Sequence, residues 1–298
     1  MSGLNSAETN APNGVIRFLR GGTIGAPSIV FLHGGVPGVT PYCAGAHVWG
    51  RALGLFLDKD VIAFDLPGAG GSTAMPEKPT IDEIGSLILS AFDDLQVGQC
   101  DVVGHDFGGA VGVWLALNAA ERLRSLSIVA SGASAPSIGE EIDPLQTCPH
   151  PLWNRYSQRW VFDRLSYSDL HITDDLLDAC VSGAGGAAHE KARRLALKEP
   201  RWHLDSLVRN RAKLWEACRN GALKVPIQLL WSAHDPLVSV EAGYVLFKTI
   251  AENQRVAHFD LINAAGSFPF RERPDEFHHF ISSFQEGVAA QMQVDGAR

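Results

Sequence analysis

Apolar positions along the chain fall into short runs separated by longer amphipathic stretches. Residues 15–19, 28–32, 61–64, 101–104 and 126–130 form the first runs, and 227–231 and 257–262 follow after a wide gap. They are rich in Val, Ile and Leu on both faces, the pattern of strands covered on two sides. Between them the period changes. Apolar residues recur at helical spacing over 81–95 and 274–284, and 108–120 is small and apolar, as a buried helix is. Thr80 followed by Glu83 is a capping-box signal at the start of the first helix. This alternation predicts an α/β fold with a mostly parallel central sheet, right-handed crossovers and flanking helices.

The gap from 134 to 221 breaks the alternation. It holds Trp153, Tyr156, Trp160, Tyr167 and Trp202 and no strand-like run. It is too long for a loop inside a compact domain, so it reads as an inserted helical cap. The expected organisation is a mobile tail at 1–14, a core built from 15–133 and 222–290, and a cap at 134–221.

Composition narrows the partners. The 298 residues suffice for one such domain, and the formal net charge is −8 with no block of Lys or Arg. That balance argues against a nucleic-acid or anionic-membrane partner and for a small-molecule substrate, with a homodimer left open. No apolar run approaches the roughly 20 residues of a membrane span. The first 14 residues lack a basic-then-apolar leader pattern, so a cytoplasmic location is expected. The five cysteines are widely spaced without a CxxC pair and read as reduced, packed thiols. No phosphate loop, dinucleotide fingerprint or metal cluster is visible, and no cofactor is expected.

Candidate chemistry concentrates in four segments. Residues 101–110, Asp-Val-Val-Gly-His-Asp-Phe-Gly-Gly-Ala, read as strand, sharp turn and small-residue helix. Such a turn exposes Asp106 at the carboxyl edge of the sheet, with the helix N-terminus directed at it. The plain alternative is an ordinary strand-to-helix turn that contains glycines. The segment His33-Gly34-Gly35-Val36-Pro37-Gly38 follows an earlier strand, where Gly35 and the residue after the elbow, Phe107, are placed to offer oxyanion amides. Asp65-Leu-Pro-Gly-Ala-Gly-Gly-Ser72 and His234-Asp235-Pro236-Leu237-Val238 each follow later strands.

In this order the four segments resemble the α/β-hydrolase superfamily over about 15–287. The segment 33–38 and the stretch 159–174 are most similar to carbon–carbon hydrolases that cleave ring-fission products of aromatic degradation. The elbow is similar instead to epoxide hydrolases and haloalkane dehalogenases, which use an aspartate nucleophile. The resemblance implies an enzyme with Asp106 as nucleophile, Asp235 as the acid of a triad, and His33, Gly34, His105, Trp153, Tyr156 and Trp160 around the substrate. It also implies cap tyrosines, Tyr156 and Tyr167, as proton donors. A tryptophan that would hold a halide is replaced by Phe107, which has no side-chain donor.

One departure is sharper. The C-terminal pattern Gly-His reads Gly266-Ser267 here. A serine hydroxyl is too weakly basic to act as a general base near neutral pH. Three readings follow. Another histidine substitutes: His105 or His234 beside the site, or His150, His171, His189 or His203 from the cap. Or Asp106 and Asp235 transfer protons across the space a histidine would fill, one of them with a raised pKa, as in a lyase, isomerase or cyclase step. Or the chain, natural or engineered, binds a ligand without turnover. An enzyme acting on a small, largely apolar or aromatic-derived molecule is the favoured expectation, with Asp106, Asp235 and Ser267 at its centre.

Overall fold

The computed structural model describes residues 3–137 and 143–296. The stretch 138–142 of the expected cap, and the first two residues of the expected tail, lie outside them. An eight-stranded sheet runs β1-β2-β4-β3-β5-β6-β7-β8. Its strands are β1 (Leu4–Ala11), β2 (Gly14–Gly22), β3 (Ser28–Leu32), β4 (Asp60–Phe64), β5 (Cys100–His105), β6 (Leu123–Val129), β7 (Ile227–Ser232) and β8 (Ala257–Ile262). Strands β3 to β8 pair parallel with one another, and β2 pairs antiparallel with both β1 and β4. Every residue of β4, β5 and β7 is buried, which is why these runs lack polar alternation.

The helices covering the sheet are α1 (Ile81–Asp94), α2 (Phe107–Asn118), α7 (Val240–Ala251) and α9 (Pro274–Gly296). Helix α1 starts where the Thr80 hydroxyl accepts the Glu83 N–H at 3.3 Å. Helix α2 is buried from Phe107 to Ala116 without a polar face, as a small-residue helix packed on all sides must be. Between β6 and β7 lie α3 (Arg155–Leu165), α4 (Asp174–Ala184), α5 (Ala187–Lys198) and α6 (Trp202–Arg219). Two short helical pieces matter below: a 3-10 stretch at Ala46–Phe56 and α8 at Pro269–Glu272. No helix among the described residues is long and apolar enough to cross a membrane.

The expected mobile tail is a correction. Residues Leu4–Ala11 form β1, paired with β2 in register from Leu4↔Gly21 to Ala11↔Gly14. Pro12 and Asn13 make the turn, with Asn13 at φ 68°, a conformation Asn tolerates better than most residues. The strand is exposed over most of its length, so its hydrophobic signal is weak. Backbone pairing, not burial, holds it.

Candidate functional site

Strand β5 ends at His105 and α2 begins at Phe107, leaving Asp106 at the turn with φ 43° and ψ −110°. That region is costly for a residue with a Cβ. The surroundings hold it there. The Asp106 N–H donates to the Val129 carbonyl at 3.0 Å, and the Ser131 hydroxyl donates to the Asp106 carbonyl at 2.6 Å. The turn closes only because two neighbours lack side chains. A Cβ on Gly104 would lie 2.4 Å from the Gly108 carbonyl oxygen, and one on Gly108 would lie 2.1 Å from that of Leu32.

The Asp106 carboxylate is buried, and burial raises its pKa. Opposing this, the amides of Gly35, Phe107 and Ala133 favour its charged form. The Gly35 N–H donates to Asp106 Oδ2 at 3.3 Å. The structure thus brings together Asp106 and the two amides expected from the sequence. The third amide, Ala133, belongs to the turn after β6 and has no motif to announce it.

Across the site stand Asp235 and Ser267. Ser267 Oγ donates to Asp235 Oδ1 at 2.6 Å, and the Leu237 N–H donates to the same oxygen at 2.9 Å. Asp235 Oδ2 is buried without a partner among the described residues. Burial, with a further contribution from the Asp106 charge, pushes the Asp235 pKa up to about 7 from an ordinary 3.8. The Ser267 hydrogen bond and the Leu237 and Val238 amides pull the other way and do not cancel it. Ser267 is fixed by its own backbone, whose N–H donates to the Leu165 carbonyl at 2.8 Å.

None of the candidate histidines bonds to either carboxylate. His105 is buried behind the elbow: Nε2 donates to the Ser267 carbonyl at 2.8 Å, and the ring packs against Phe270. Burial lowers its pKa to about 3. His33 accepts the Leu66 N–H at Nε2 and sits 2.8 Å from the Gly34 carbonyl through Nδ1, so both ring nitrogens are engaged in bracing the loop. His234 is exposed, its ring packed at a tilt against Tyr167 and within 3.2 Å of Asn263. His150 is exposed and His203 half-buried. His171 bonds to Ser166 and Arg271, and His189 packs edge-on to Trp153. A substitute imidazole at the triad position is therefore corrected by the hydrogen bonding of the described residues.

The cap aromatics divide. Tyr156 is 69% exposed and Tyr167 56%, so neither reaches a buried carboxylate; the helical phase of α3 turns Tyr156 outward. Trp153 donates from Nε1 to the Thr40 carbonyl at 3.0 Å and serves to dock the insertion. Trp160 is half-buried under Arg164, whose guanidinium lies 6.0 Å from its ring centroid. Gly34 backs the elbow: a Cβ there would lie 3.0 Å from the Asp106 Cβ.

The residue not foreseen is Tyr42. Its ring lies against Gly35, where a Cβ would come 3.3 Å away. It packs on Phe162 and Phe268 at 5.6 and 5.9 Å between centroids. Burial raises its pKa well above normal, and the charges of Asp106 and Asp235 add to this. A phenol thus stands beside both carboxylates. It comes from a loop with no repeating pattern, so only the fold reveals it. Glu272 braces the segment that carries Ser267. Its Oε1 accepts the Gly266 N–H at 2.8 Å, and Oε2 accepts those of Tyr167 and Ser168 at 2.9 Å each. Asp65 organises the loop after β4, accepting from Ala46 N–H, Gly71 N–H and Arg17. Among the described residues, no group of three or more His, Cys, Asp or Glu side chains is placed to hold a metal.

Comparison with known proteins agrees with this architecture. A family model described as alpha/beta hydrolase fold matches residues 27–263. The chain is 24% identical over 271 residues to the 2-hydroxy-6-oxononadienedioate/2-hydroxy-6-oxononatrienedioate hydrolase of Cupriavidus pinatubonensis, covering 87% of each. It is 36% identical over 84 residues to the dihydrolipoyllysine-residue acetyltransferase component of the acetoin cleaving system of Pseudomonas putida, 28% of this chain and only 23% of that protein. Among solved structures, a 2-hydroxy-6-oxo-6-phenylhexa-2,4-dienoate hydrolase from Rhodococcus superposes with TM-score 0.73 at 20% identity, covering 94% of this chain and 99% of that one.

Proposed function

Because the chain belongs to the alpha/beta hydrolase fold family, we propose that it is an enzyme acting on a small, largely apolar or aromatic-derived molecule through paired acid–base work by Asp106 and Asp235. The observation that carries this reading is the Asp235 carboxyl, pushed up to about 7 in the same buried site as Asp106, with serine and no imidazole bonded to it. Each carboxylate accepts three donors, but burial outweighs them at Asp235, whose Oδ2 has no partner among the described residues. The two environments differ in the sense that separates a base from an acid. Asp106 accepts a proton from an acidic C–H or O–H of the substrate. Asp235 delivers the proton it carries to a substrate oxygen. One proton enters the enzyme and one leaves it, and no covalent bond to the protein forms. Ser267 positions Asp235.

The related proteins are named for oxo-dienoate compounds. Such molecules join a carbonyl to acidic C–H positions, which suits this pair, so 2-hydroxy-6-oxo dienoates are the first substrates to try. A second reading, a covalent alkyl ester on Asp106 formed from an epoxide or halide, is favoured by the position of Asp106 at the strained elbow beside the Gly35 amide. Intact mass spectrometry during turnover separates the two. Turnover without an adduct, lost by about 10² to 10⁴ in Asp106→Asn, supports acid–base work. An adduct of the substrate's mass on Asp106 supports the ester. Full activity in Asp106→Asn on every substrate turned over would sink both.

A further inference from the structure

A cavity lies apart from the two carboxylates. It measures about 890 Å³ and runs between the 3-10 stretch 46–56 on one side and α4 with residues 167–173 on the other. None of Asp106, Tyr42, Asp235 or Ser267 lines it. Its floor is the guanidinium of Arg271.

The guanidinium is largely desolvated, and burial lowers its pKa to about 10. Nε donates to His171 Nδ1 at 3.1 Å, Nη1 to the Val48 carbonyl at 3.0 Å, and Nη2 to the His171 carbonyl at 2.9 Å. Each terminal nitrogen carries a second hydrogen. That of Nη1 meets only the His47 carbonyl, at a long 3.5 Å, and that of Nη2 has no acceptor among the described residues. No carboxylate pairs with Arg271 among those residues. The other basic groups of the cavity are already matched, Arg51 to Asp275 and Arg273 to Glu276. Of its acids, Glu272 is spent on three backbone N–H groups, and Asp175 is exposed, where solvent screens it. His47 and His171 are held neutral, with burial as the main cause.

The backbone makes room for this cation. Gly50 interrupts the 3-10 stretch at φ 56° and ψ −132°. A Cβ there would lie 2.7 Å from Arg271 Nη1. The carbonyls alone would suffice for a staple, and a neutral donor would do that task without desolvating a charge. The lining also contributes apolar side chains, Leu4, Leu170, Leu176 and Ala179, with Leu170 91% exposed.

We propose that this cavity is a binding site for a small monocarboxylate with an apolar body, its carboxylate on Arg271 and its body along Leu170, Leu176 and Ala179. A single uncompensated cation selects one negative charge. A guanidinium with a spare hydrogen on Nη2 and only a long bond on the second hydrogen of Nη1 suits a planar carboxylate.

The test is calorimetric titration of the full chain with benzoate, with benzamide as the uncharged isostere. Saturable benzoate binding, of millimolar order, at least tenfold tighter than benzamide, is the expected result. Two variants locate it. Arg271→Gln removes the charge. Ala179→Glu leaves Arg271 in place and sets a carboxylate on the half-buried wall opposite it. Loss of at least tenfold in affinity in Ala179→Glu supports the site, whether or not Arg271→Gln folds. Equal affinity for benzamide, absence of saturation, or full affinity in Ala179→Glu overturns it. The readout is binding, so it stands or falls independently of the reaction proposed for Asp106.

Discussion

Asp235 has the most to say at the scale of single residues. Its folded-state pKa, about 7, exceeds the ordinary 3.8. The folded chain therefore keeps a proton between those values that the unfolded chain has released. The contribution to stability is full below about pH 4, declines as pH rises, and is lost above about pH 7. Asp235→Asn removes the ionisation. The melting temperature of the variant relative to the parent should climb between pH 4 and pH 7 and then level, by the equivalent of a few kcal/mol at most. A difference that stays flat across this range would show that Asp235 is not perturbed. The same protonation governs activity in the proposed reaction. If Asp235 is the acid and Asp106 the base, kcat/KM falls tenfold per pH unit above about pH 7 and falls again on the acid side, where Asp106 becomes protonated. The profile would rise instead if Asp235 were the base. Ser267→His is the companion change. It places an imidazole against Asp235 in the usual triad arrangement. Hydrolysis of an epoxide or alkyl halide appearing in that variant, and absent in the parent, is the expected gain; no gain would mean that Asp106 does not attack carbon in this site.

The elements differ in how plainly the sequence announces them. The elbow was legible because its constraints are local. Gly104 and Gly108 are four residues apart, and each lies against a main-chain carbonyl. Gly104→Ala should therefore cost several kcal/mol, since a backbone oxygen at 2.4 Å cannot swing aside as a side chain can. Thermal unfolding measures this, and a melting temperature within one degree of the parent would contradict it. The core strands were legible for a similar reason, since burial on both faces leaves an unbroken apolar run. Strand β1 was not, because its partners are water and the backbone of β2. Helix α3 was legible as a helix, but its facing was not. Tyr156 points outward while Phe162 is fully buried over Tyr42, and only docking of the insertion decides which stripe is covered. Tyr42 and Ala133 reach the site from loops whose conformations depend on that docking, so no spacing rule could have found them.

At the scale of the whole molecule, the site is a seam between the core and the helical insertion, and a few polar contacts hold the seam. Gln158 of α3 accepts the Cys43 N–H and donates to the Pro41 carbonyl, both at 2.9 Å, which fixes the loop that presents Tyr42. Asn210 of α6 donates to the Ala110 carbonyl of α2 at 2.9 Å. Glu272 ties the insertion at Tyr167 and Ser168 to the Ser267 loop at Gly266. These last bonds run to a charged acceptor, and such bonds contribute about 1.5–3 kcal/mol each. Glu272→Ala removes all three and leaves the N–H groups without a partner. Local opening at this junction should become easier by about 3 kcal/mol, which is roughly 100-fold faster amide hydrogen exchange at Tyr167, Ser168 and Gly266. The core strands, which open only globally, should exchange at a rate set by the smaller change in overall stability. Ser267 would then lose its fixed position on Asp235, so kcat should fall while the Asp235 inflection moves away from pH 7. Unchanged exchange at these amides would mean that the junction is held by apolar packing of Phe268 on Phe162, and that Glu272 contributes little to the placement of Ser267.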